Sequence, residues 1–156
     1  MAINPNTDFT SGAVLTAAQQ NRFPRGVMGN VYRTAGNVAV TTTQADITGM
    51  TVTFTAVANR TYKATWTVTG LKDTASGWVG AFLTNSANTA FGSVYQTGFI
   101  VTGAGYVNLS GITFFSSLSA GSQTLKLRCQ AESNGATILA SGTNPCVLMI
   151  EDCGPS

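Results

Sequence analysis

The side chains in this sequence that could do chemistry are few: six carboxylates, three cysteines and eight basic groups among 156 residues, with no histidine. Histidine is the commonest general base near neutral pH and the commonest metal ligand. Without it, neither a Ser-His-Asp nor a Cys-His nucleophile system can be assembled. Two carboxylates flanking a bond could still cleave a glycoside, so each acid has to be weighed. Asp8 lies near the start, Asp46 in a turn, Asp73 in a loop of small residues and Glu132 where a strand ends. Glu151 and Asp152 are adjacent and would point to opposite faces of a strand. No spacing pairs any two of them. All six read as solvated surface acids, and neither a catalytic residue nor a cofactor is expected.

Metal chemistry fares no better. Cys129, Cys146 and Cys153 are odd in number and widely spaced, unlike a disulfide framework or a zinc site. They read as small apolar side chains, although Cys129 and Cys146 could meet if their strands are neighbours. No Asp- and Asn-rich loop closing on glycine offers a calcium cage, and no glycine-rich phosphate loop occurs. Asn59-Arg60-Thr61 and Asn108-Leu109-Ser110 match the glycosylation acceptor pattern, which carries no weight without a secretion signal, and Met1–Phe9 does not resemble one. Trp66 falls in phase with an apolar face and reads as core. Trp78 and Tyr95 are better placed to form an exposed binding surface, with a place in the core as the plainer alternative.

The elements that would position these groups are strands. Met50, Val52, Phe54 and Ala56 alternate with threonines, as do Tyr62, Ala64, Trp66 and Val68 with Lys63 and threonines, and Leu125, Leu127 and Cys129 with Lys126, Arg128 and Gln130. Period two marks strands with one face in the core and one toward water. Further strands are expected at 27–34, 37–43, 78–85, 91–101, 105–115, 136–141 and 145–151. Turn residues separate them at Gly36, Asn59, Gly77, Gly103, Gly121 and Asn134-Gly135, the last a hairpin cue. Val147–Ile150 is apolar without alternation, which predicts burial on both faces, under another subunit or under the N-terminal segment. Residues 1–26 differ: Thr10 or Ser11 could cap a helix running through Ala13–Gln20, stopped by Pro24 and Gly26. The expectation is an all-β fold, a single antiparallel sandwich of jelly-roll type over 27–156, with an N-terminal arm over 1–26 that carries a brief helix.

Composition narrows the partners. Charged residues make up 9% of the chain, against ~25% in an average domain. The net charge is +2 and the basic residues are scattered, so the footprint of a nucleic-acid binder is missing. No apolar run reaches the ~20 residues of a membrane-spanning helix. A neutral surface rich in Thr and Asn suits packing against copies of the same chain.

Several strings then stand out. Phe23-Pro24-Arg25-Gly26-Val27, Ile47-Thr48-Gly49-Met50-Thr51-Val52 and Asn59-Arg60-Thr61-Tyr62-Lys63, together with Ser119–Arg128 and Val147–Pro155, resemble a family of small virion proteins of tailed bacteriophages, many of them phages of actinobacteria. That family ends in an apolar strand, an acidic pair, one small or apolar residue and Gly-Pro. Here Cys153 holds the intervening position. The resemblance covers nearly the whole chain through short motifs. It implies a virion structural protein, a capsid decoration, head fibre or minor tail protein, assembled in the host cytoplasm and released by lysis. A homotrimer follows by analogy with compact fibre domains. The opening Thr10–Ala17 is similar to the particle-docking start of such proteins. This makes Phe9, Val14, Leu15, Phe23, Pro24 and Arg25 the expected contacts with capsid or tail proteins, Arg25 either pairing with an acid or simply solvated. The alternative is an adhesion module that binds host surface glycans through Trp78, Tyr95 and Tyr106.

Overall fold

The computed structural model describes residues 12, 14, 16–21, 23–72, 77–100, 106–116 and 118–156, without the side chains of 70–72 and 92–100. Alternation of apolar and polar side chains produces strands throughout: β1 (Gly26–Arg33), β2 (Asn37–Val40), β3 (Ala45–Ala56), β4 (Arg60–Lys72), β5 (Gly77–Asn85), β6 (Ala90–Ile100), β7 (Tyr106–Phe115), β8 (Gly121–Ala131), β9 (Ala136–Leu139) and β10 (Cys146–Pro155). Each segment read as a strand from periodicity is one. The fold is all-β and antiparallel, in two packed sheets.

The larger sheet runs β1-β10-β4-β9-β2, with β7 also on β4; the smaller runs β3-β8-β5-β6. Five pairings across the two sheets are nested along the chain: β1 with β10, β2 with β9, β3 with β8, β4 with β7 and β5 with β6. The chain thus behaves as one long hairpin folded over itself, with β10 also joined to β4 and β8 to β5. The backbones of the two sheets come close where β1 meets β3 and where β6 meets β7. At the first of these Gly29 admits the opposite sheet, because a β-carbon there would lie 2.6 Å from Val52 Cγ1.

The core lies between the sheets. β4 contributes Tyr62, Ala64, Trp66 and Val68; β3 contributes Met50, Val52 and Phe54; β8 contributes Leu125, Leu127 and Cys129. The Tyr62 ring stacks on Phe115 with centroids 6.0 Å apart and tilts against Phe54 at 5.3 Å. Its hydroxyl accepts a hydrogen bond from the Val57 N–H at 2.7 Å and so closes the β3–β4 turn, where Asn59 takes a left-handed conformation with φ 59°.

Within the single chain, Leu148 and Ile150 are buried while Val147 and Met149 are half-buried, because β10 is flanked by β1 and β4 with one face turned outward. Two local expectations are corrected. Asn134-Gly135 does not close a hairpin. It carries the chain from β8 in one sheet to β9 in the other. The helix is a single turn, α1 (Ala17–Gln20), capped by Thr16, whose Oγ1 accepts from the Gln19 N–H while Gln19 Oε1 accepts from the Thr16 N–H. Thr10, Ser11, Ala13 and Leu15 lie outside the described residues. Sequence reasoning also missed a turn at Asn85–Asn88, where Asn85 Oδ1 accepts from the N–H groups of Ala87 and Thr89. Asparagine at both ends was its signal.

Candidate interaction surfaces

The N-terminal segment is tied to the sandwich at its root. Arg60 opens β4 opposite Pro155 of β10, and Asp152 lies on β10 opposite Tyr62, further along the same pair of strands. Arg60 Nε donates to Asp152 Oδ2 at 2.6 Å, and both side chains are buried. The guanidinium is then aimed at the segment: Nη1 donates to the Asn21 carbonyl and Nη2 to the Phe23 carbonyl, each at 2.6 Å. Asp152 Oδ1 accepts from the Gly154 N–H at 2.8 Å. The planar fork of arginine suits this task, since it satisfies a carboxylate and two carbonyls at once. Beyond the root, Pro24 and Arg25 are exposed, Phe23 is 41% exposed and Val14 is 89% exposed. Phe9 and Leu15 fall outside the described residues.

The outer face of the smaller sheet is polar along β3 and β8 and aromatic along β5. Asp46 stands at the start of β3 rather than in a turn. It accepts from Lys126 Nζ at 2.9 Å and from Arg128 Nε at 2.7 Å. The hydrogen bond from Lys126, with Arg128 behind it, holds the Asp46 carboxyl below its ordinary range. Arg128 also binds Gln44 through both terminal nitrogens. On β5, Trp78 and Phe82 are half-buried on the outer face and lean together over Gly80, whose β-carbon position lies 3.2 Å from Phe82 Cζ and 3.5 Å from Trp78 Cζ3. Glu132 fixes this strand by accepting from the Trp78 N–H at 3.0 Å. Tyr95 pairs in register with Phe82 through the backbone of β6. Phe82 was not among the aromatics singled out from the sequence, although its spacing from Trp78, four residues along a strand, places both on one face.

Tyr106 belongs elsewhere. It starts β7, on the outer face of the larger sheet, and is 67% exposed. The register there sets Tyr32 beside Val147, then Thr67 and Ser110. The next row holds Asn30, Met149, Thr65 and Ile112, and the one after it Val27, Glu151, Lys63 and Phe114. Lys63 and Glu151 form an ion pair within this face, and hydrogen bonding to Glu151 raises the Lys63 pKa above its ordinary value.

The four described acids therefore all hold a cation or an amide, and the reading of Asp152 as a solvated surface group is overturned by its burial against Arg60. Among the described residues no three of His, Cys, Asp and Glu converge to hold a metal ion. The cysteines are free. Cys129 is buried on β8 with its thiol pushed up to about 12 by desolvation, Cys146 is buried on β10, and Cys153 lies on the outer face of β10. No protein-family model and no curated protein matches the chain.

Proposed function

We propose that this chain is a structural protein of a bacteriophage particle, trimeric, docked on capsid or tail through residues 1–26 and exposing the sandwich outward. The observation that carries the reading is the grip of Arg60 on the Asn21 and Phe23 carbonyls. An arm that is to seat on a particle needs a fixed point of departure, and a buried ion pair gives it one. The nested strand pairs support a jelly-roll reading of the sandwich, an architecture shared by capsid and lectin domains. The low charge and the motif resemblance agree with assembly into a particle. Cryo-electron microscopy of the particle tests the proposal: three copies on capsid or tail, with residues 1–26 against the shell, are expected. A particle without this chain overturns it.

A second reading, host-glycan adhesion, is favoured by the Trp78–Phe82 pair over Gly80 with Tyr95 alongside in register. Sugars stack on such aromatic surfaces with polar groups at the rim. Binding of the isolated chain to a glycan array, lost in Trp78→Ala, would support it.

A further inference from the structure

The two outer faces of the sandwich differ sharply in character. Of the seven large hydrophobic side chains that stand exposed among the described residues, Val14 and Phe23 precede β1. The other five all lie on the outer face of the larger sheet: Val27 at 56%, Tyr32 at 55%, Tyr106 at 67%, Ile112 at 56% and Phe114 at 63%. The smaller sheet turns out Thr51, Thr53 and Thr55 on β3, Lys126 and Arg128 on β8, and on β5 Trp78 and Phe82, which are half-buried rather than exposed. Scattered exposed apolar residues need no explanation, but a contiguous set on one face marks an interaction surface.

The relief of that face is also specific. β1 and β7 carry the large exposed side chains at its two sides, whereas β10 and β4 between them offer the half-buried Val147, Met149, Thr65 and Thr67. The result is a shallow trough with apolar rims. The charges among its described side chains are Lys63 and Glu151, already paired with each other. We propose that this face is covered by a second copy of the same chain, the Ile112–Phe114 rim of one copy seating in the Thr65–Thr67 trough of the next. The inference rests on the virion reading for the number of copies, and adds to it the surface through which they meet.

Three arguments select a copy of this chain over another occupant. The described side chains of the face carry no net charge, so burying them against a copy strands no uncompensated ion among them. Four strands ~4.8 Å apart and roughly ten residues long give a face on the order of 600 Å², near the ~800 Å² per partner of a stable interface. A rim-to-trough contact joins unlike patches, and repeated head to tail it forms a ring where the rotation between copies closes. The virion reading sets that ring at three copies.

The test is the solution mass of the full chain by light scattering and sedimentation equilibrium. The wild type is expected at three times the mass of one chain. Phe114→Lys is expected to fall to a single chain with an unchanged far-ultraviolet circular dichroism spectrum, since that side chain is exposed and supports no core. Thr55→Lys, on the outer face of the other sheet, is expected to keep the full mass. As a second readout, alkylation of Cys153 on β10 should slow as chain concentration rises, and Phe114→Lys should abolish that dependence. A wild type that remains a single chain overturns the inference, as does a trimer broken by Thr55→Lys and not by Phe114→Lys. If deletion of residues 1–11 turns a single chain into a multimer, the N-terminal segment is the occupant and the inference fails. A particle that carries the chain while Phe114→Lys is incorporated normally sinks the interface and leaves the virion reading standing. A trimer that forms as described but is missing from the particle does the reverse.

Discussion

Gly111 stands opposite Trp66 across β4 and β7, and a β-carbon at position 111 would lie 2.5 Å from the indole ring. Trp66 is fully buried and heads the largest core side chains, so its ring occupies the volume that the glycine leaves empty. Gly111→Ala is expected to destabilise the fold by about 1–3 kcal/mol, the usual cost of overpacking. Gly142→Ala, whose β-carbon meets nothing within 4 Å, is expected to change stability by no more than ~0.5 kcal/mol. Urea unfolding of the two variants compares them directly. Equal midpoints would show that the ring moves aside freely.

The Arg60–Asp152 pair makes a second prediction. Removing one partner of a buried ion pair typically costs about 3–5 kcal/mol, because the other charge is left without compensation. Arg60→Met also frees the Asn21 and Phe23 carbonyls. Tryptic cleavage after Arg25 is therefore expected to accelerate in Arg60→Met, at least tenfold for each ~1.4 kcal/mol of local stability lost. Unchanged cleavage would mean that the segment is held by other contacts.

Tyr62→Phe keeps the ring and its stacking on Phe115 but removes the acceptor of the Val57 N–H. Leaving that donor unpaired is expected to cost about 1–3 kcal/mol. Amide exchange at Val57 should rise well above that of its neighbours. A uniform change across β3 and β4 would argue against a local cause.

Acid stability has a defined sign at Asp46. Its folded pKa is lowered from 3.8, chiefly by the hydrogen bond from Lys126. Folded Asp46 thus holds its proton less tightly than the unfolded chain does. Its contribution is whole above the ordinary value and is lost as pH falls through the lower folded one. Carbon-detected titration of the Asp46 carboxyl should give a midpoint below 3.8 in the wild type and a higher one in Lys126→Met. Coincident midpoints would remove Lys126 as the cause.

Thiol chemistry separates the three cysteines. With its thiol pushed up to about 12 and its side chain buried, Cys129 should not react at mildly alkaline pH in the native state. Cys146 is buried as well, so one slow thiol, Cys153, is expected by colorimetric titration, and all three in denaturant. Two reactive native thiols would contradict the placement of β8 or β10.

Periodicity located strands such as β3, β4 and β8 because alternation is written in consecutive residues. Partner choice is not. Asp152 reads as one of two adjacent surface acids until its partner is known, and that partner lies 92 positions away. Asn134-Gly135 has the residue types of a hairpin, yet whether the flanking strands pair or part depends on β2 and β3, which compete for their edges. Gly111 looks like any weak point in a strand until Trp66 is set against it. The aromatic candidates show the same limit: Trp78 and Tyr95 share a sheet, while Tyr106 faces the other way. Only the register could separate them.

The nesting of strands also governs when the protein can come into being. β10 is inserted between β1 and β4, and it is the last of the described strands to be synthesised. The larger sheet therefore has no centre, and Arg60 no counter-ion, until the ribosome has released residues 146–152. Closing contacts across so much chain is entropically costly and slow. A chain cut before residue 146 therefore lacks both the strand that joins β1 to β4 and the carboxylate that holds Arg60 against the N-terminal segment.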